Sequence, residues 1–174
     1  MSVHFEIFQV VEETIADIVS GAATAAETIE ELEEYNEELP EDQKIVFKVS
    51  YDGPALASFL ALKVPTPIAT FLLNDKAGTV VGEDLGMGPA KHLSPKDVKA
   101  LAEHVSKVHF DKAYQGLTIE SLNKYFQTAG KQALEASVDE SSDEVESLKE
   151  TFVLFKEFLV TTMEMKRGLL VAVR

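Results

Sequence analysis

Large apolar residues recur at Phe5, Phe8, Val11, Ile15, Ile18 and Val19, three and four positions apart, a spacing that lines one face of a helix. The pattern predicts a helix from about His4 into the glutamate-rich stretch ending near Leu39, where Pro40 stops it and Gly21 offers a point of division. Along this face the large residues give way to Gly21, Ala22, Ala23, Thr24, Ala25 and Ala26. A stripe of small residues lets another backbone come nearer than Leu or Ile would, so close packing is expected there.

Lys44 to Tyr51 alternates, with Ile45, Phe47, Val49 and Tyr51 on one side and Lys48 and Ser50 on the other, which predicts a strand. Asp52-Gly53-Pro54 supplies turn chemistry, and Ala55 to Val64 reads as a returning, largely buried strand. Thr66 and Pro67 open a short helix. Asn74 to His92 reads as a loop-rich stretch whose four glycines serve turns. Ser94-Pro95-Lys96-Asp97 starts a helix with a Ser cap, and Val98, Leu101, Val105 and Val108 give its apolar face. Another helix begins at Thr118. Residues 138 to 146 read as an acidic loop, 151 to 162 as a strand covered on both faces, 164 to 168 as a turn and 169 to 173 as a closing strand. The order of helix, hairpin, helices and hairpin predicts an α+β architecture. Two related halves would each place helices before an antiparallel pair, and the strands would join into one sheet covered by helices.

Charge changes this picture in one region. The net charge is −14. Residues 1–43 carry thirteen acids and no Lys or Arg, while the remainder is close to balanced. Such acidity disfavours nucleic acid, which is held largely by Lys and Arg on phosphates, and points instead to a basic partner. No apolar run approaches membrane-spanning length and no basic leader precedes one, so membrane insertion is not expected and a cytoplasmic location is the default.

Candidate chemistry is sparse. The chain has no cysteine, which removes thiolate metal sites and cysteine nucleophiles. His4, His92, His104 and His109 are scattered, so no metal site is expected, and no cofactor is implied. Glu103 with Ser106 three residues on, and Thr14 with Asp17 and Gly21, occupy matching faces of two predicted helices. A carboxylate followed by a small polar residue at this spacing suits holding a partner and a water.

At these residues the chain resembles the CheC, CheX and FliY chemotaxis phosphatases and the related middle domain of the flagellar switch protein FliM. The stretch Ile18 to Ala26 looks like that family's Gly-Ala-Gly-Asn-Ala-Ala-Thr-Ala segment, Leu93 to Glu103 like the approach to its second motif, and Lys166 to Val173 like its closing strands. The resemblance implies one domain over 1–174, with halves at 1–75 and 90–174. In that family a Glu pairs with a response-regulator Lys while an Asn orients water for attack on an aspartyl phosphate. Here Thr14 lacks the charge, Asp17 repels a phosphoryl group, and Ser106 offers a rotating hydroxyl in place of an amide.

Three functions follow as expectations. The first is a non-catalytic interaction domain in chemotaxis or flagellar-motor signalling, with a response regulator or switch protein docked on Thr14, Asp17, Gly21 and Glu103. The second is an aspartyl-phosphate phosphatase using Glu103 and Ser106. The third is an unrelated α+β module whose acidic N-terminal helix binds a basic partner. A homodimer is a further option for its assembly.

Overall fold

The computed structural model describes residues 3–74, 76–129 and 142–174. Phe5–Val10 forms strand β1, and all six of its residues are buried. A strand covered on both faces carries apolar residues on both sides, and Phe5 and Phe8, three apart, with Val11 just beyond the strand, mimic a helical period. The expected first helix therefore starts later than His4, as α1 (Glu12–Ser20), and is followed by α2 (Ala25–Glu38). Gly21 divides the two in the left-handed region, at φ 77°. Thr24 and Glu27 close a capping box at the start of α2.

β2 (Val46–Val49) lies within the predicted alternation. The returning strand expected at 55–64 is instead helix α3 (Gly53–Lys63), in which every residue from Ala55 to Leu60 is buried. A helix apolar all round has no polar face, so nothing in its pattern marks a period of 3.6. A 3-10 turn, Pro67–Thr70, follows Thr66. The stretch expected to be loop forms a hairpin, β3 (Thr79–Asp84) with β4 (Pro89–Leu93). α4 (Pro95–Val105) opens as expected, with Ser94 Oγ accepting from the Asp97 amide at 3.1 Å.

α5 (Phe110–Tyr114) was not foreseen, and α6 (Ile119–Ala129) begins where predicted. Of the loop expected at 138–146, residues 138–141 lie outside the described residues and the rest opens α7 (Ser142–Glu164). That helix also takes the place of the strand expected at 151–162. Its buried Leu148, Phe152, Phe155 and Leu159 keep helical spacing, while exposed Val153 and Leu154 fill the gaps and make the run look continuous. The chain closes with β5 (Gly168–Val173), as expected.

The five strands form one sheet in the order β2-β1-β5-β4-β3, antiparallel throughout. The α+β class, with helices packed on an antiparallel sheet, is the class anticipated. Neither expected hairpin forms, because α3 and α7 replace one strand of each. Alternate residues of the inner strands serve two cores. Phe5, Ile7, Leu169 and Val171 meet the buried residues of α3 to α7. Phe8, Val10, Leu170 and Ala172 meet Ile15, Ile18, Ala25 and Ile29 of α1 and α2. Helices thus cover both faces, and β2 and β3 are left as the edges.

Candidate functional site

The sheet separates the two sets of residues singled out in the sequence. Thr14 and Asp17 belong to α1, with Gly21 at its end, on the face of the smaller core. Glu103 belongs to α4, with Ser106 just past its end, on the opposite face. Ser106 Oγ donates to the Glu103 carbonyl at 3.0 Å, and the Glu103 carboxylate lies 3.9 Å from Lys99 Nζ. The carbonyl of Asp17 accepts from the amides of Ala22 and Ala23 at 2.9 and 3.2 Å, which closes the end of α1.

The close approach expected of the small stripe occurs at Ala25 rather than at Gly21. A Cβ on Gly21 would meet nothing within 4 Å, whereas one on Gly82 of β3 would lie 2.6 Å from Ala25 Cβ. One residue further on, Glu83 accepts from the Ala26 and Ala25 amides at 2.8 and 3.0 Å. The Ala26 amide, with those of Glu83 itself and Ala25, holds this carboxylate below its ordinary pKa. The small residues thus join two helices and seat the second on the sheet.

The edge at β2 has two chemically different sides. On one, α2 stands over the strand, anchored at its far end by Asn36, whose Oδ1 accepts from the amides of Ile45 (2.8 Å) and Val46 (3.2 Å). Nearer its middle, Glu33 and Glu6 share two cations. Lys48 Nζ bonds to Glu33 and lies 3.1 Å from Glu6, and Arg174 lies 3.2 Å from Glu6 and 3.6 Å from Glu33. The hydrogen bond to Glu33 leads in raising the Lys48 pKa. Between α2 and β2 runs a groove of about 420 Å³ walled by Glu30, Glu34 and Glu37. These three are exposed, and no ion pair involves them among the described residues.

On the other side the edge is apolar. Phe47 and Val49 point toward α7, where Phe47 packs on Phe155 and Phe158 with ring centroids 5.5 and 5.6 Å apart. A groove of about 250 Å³ continues outward past Phe47 and Val49 to Tyr51, Thr151 and Leu154. Tyr51 and Leu154 are 66% and 57% exposed, and the Tyr51 hydroxyl donates to Glu144 at 2.7 Å. Sequence reasoning found the acids but missed Leu154, because it fell in a run read as a buried strand. Asn36 carried no local signal, since its partners lie nine and ten residues away.

A smaller cavity of about 150 Å³ lies between β4 and α6, lined by Phe5, Leu72, Met87, Phe126 and Val173 with Lys91. Burial lowers the Lys91 pKa to about 8. Its Nζ donates to the carbonyls of Phe71 at 2.7 Å and Asn74 at 2.8 Å, so the amine ties β4 to the segment after the 3-10 turn. Among the described residues no three His, Cys, Asp or Glu side chains gather as a metal would require, and no helix is long and apolar enough to cross a membrane.

The whole chain is similar to a solved structure, a protein of unknown function, YfbM, from Escherichia coli. The two share 12% identity over 100% of both chains, with a TM-score of 0.57. At that identity the likeness is one of fold. None of the curated proteins compared matches the chain. The sequence model of the family described as "Domain of unknown function (DUF1877)" matches residues 1–172. That match overturns the resemblance to CheC, CheX, FliY and FliM, and with it the chemotaxis and flagellar setting. The quoted motifs were short, and the Ile18 to Ala26 stretch is explained by a helix junction packed on Gly82. The chain belongs to the DUF1877 family.

Proposed function

We propose that this chain is a non-catalytic protein-interaction domain, working in the cytoplasm, that receives a basic segment of a partner protein along α2 and the β2 edge. The observation that carries this reading is the groove walled by Glu30, Glu34 and Glu37. Lys48, which lines the groove, and Arg174 are committed to Glu6 and Glu33, and Lys44 donates to the Asn36 carbonyl at 2.7 Å. Lys48 and Arg174 offset those two acids and leave the three outer carboxylates to attract a cation from outside. Thirteen acids and no Lys or Arg in residues 1–43 extend the same field beyond the groove and favour encounter with a basic surface.

The test is the affinity for a lysine-rich peptide, read by fluorescence anisotropy as salt rises from about 50 to 500 mM. The reading predicts a loss of about tenfold or more with salt, and a similar loss at low salt when Glu30→Lys, Glu34→Lys and Glu37→Lys are combined. All three positions are exposed, so the fold tolerates the changes. Unchanged affinity in the variant, or no binding at high micromolar peptide, overturns it.

A further inference from the structure

We infer that the partner segment binds as an added strand on β2, and that its side chains alternate between apolar and basic. The inference rests on the interaction reading above and names the form the partner takes. Gln9 donates its amide to the Ile45 carbonyl at 2.8 Å, which sets the parity of the ladder: the Ile45 carbonyl and the main-chain groups of Phe47 and Val49 turn toward β1, while the Ile45 amide goes to Asn36. Val46 and Lys48 therefore turn theirs outward. The Val46 amide is taken by Asn36, which leaves the Val46 carbonyl and both main-chain groups of Lys48 to pair with a new strand.

A strand added about 4.8 Å beyond β2 sends alternate side chains to opposite faces of the sheet. Those on the α7 side enter the groove that Phe47, Val49, Tyr51 and Leu154 line together with Ser50, Asp52 and Thr151, and apolar residues fit its apolar part. Those on the α2 side meet Glu30, Glu34 and Glu37, where Lys or Arg fits. The two grooves share only Lys48 of the strand between them, so one extended segment reaches both.

A second copy of this chain is the poorer occupant. Antiparallel pairing of two β2 edges about a twofold axis places both α2 helices on the same face, acid against acid. The same charge explains how an edge this open avoids pairing with itself.

The experiment compares two peptides of about eight residues and equal composition, one alternating valine with lysine and one with the lysines in a single block. Binding is followed by anisotropy, and hydrogen exchange of the Lys48 amide is followed by NMR. The inference predicts that the alternating peptide binds about tenfold or more tightly than the block peptide, protects the Lys48 amide, and loses about tenfold on Leu154→Ser. Equal binding of both peptides, still abolished by the triple Glu-to-Lys variant, overturns strand addition and leaves the basic-partner reading standing. Binding of neither peptide overturns both. Self-association in sedimentation, lost in the Leu154→Ser variant, assigns the edge to a second copy and overturns the inference.

Discussion

Glycine has two different uses in this chain, and Gly21 and Gly82 separate them. Both have positive φ, 77° and 75°, which an L side chain adopts at a cost of about 1 kcal/mol or somewhat more. Only Gly82 also faces a neighbour too close for a Cβ, the methyl of Ala25 at 2.6 Å, with Ile18 at 3.3 Å. Urea unfolding should therefore show Gly21→Ala costing about 1 kcal/mol and Gly82→Ala about 2–4 kcal/mol. Equal costs would mean that the α2 junction does not press on β3. The small-residue stripe signalled close packing in the sequence. Its partner could not be read, because Gly82 lies 57 residues after Ala25 and only the folded sheet brings them together.

For α4, β2, α3 and β1, legibility followed solvent exposure. α4 was readable because Ser94, Pro95 and Asp97 mark its start and a polar face opposes Val98, Leu101 and Val105. β2 was readable because it is an edge strand with one polar side. α3 and β1 were misread, since burial on all sides removes the alternation that distinguishes a helix from a strand. The acidic wall of the candidate site could be read from composition. Its apolar wall could not, because Leu154 becomes exposed only once α7 is known to be a helix.

The junction of α2 with the sheet also has a pH signature. Glu83 is held below its ordinary pKa by the amides of Ala26, itself and Ala25, so it stabilises the fold above the unfolded-state pKa. That contribution is lost as pH falls through the lower folded-state value. Glu83→Gln should lower the melting temperature at pH 7, and the gap to the wild type should close as pH drops to about 3. A gap that persists in acid would place the effect of the substitution elsewhere.

For the molecule as a whole, covering both faces of a five-stranded sheet leaves the strand edges as the places where backbone groups face outward. β3 is bent by an irregularity between Val81 and Asp84, and its Glu83 is spent on capping α2. β2 keeps outward main-chain groups between an acidic and an apolar groove, and the charge excess of the chain gathers beside it. The central claim is that this edge is where a basic partner lands. Its most direct test is backbone amide shift mapping of the intact chain titrated with a lysine-rich peptide at low salt. The account predicts shifts confined to residues 30–37 and 46–51, with Leu154 joining them for an alternating peptide. Shifts centred on α4, around Glu103 and Ser106, or none at saturating peptide, would contradict it.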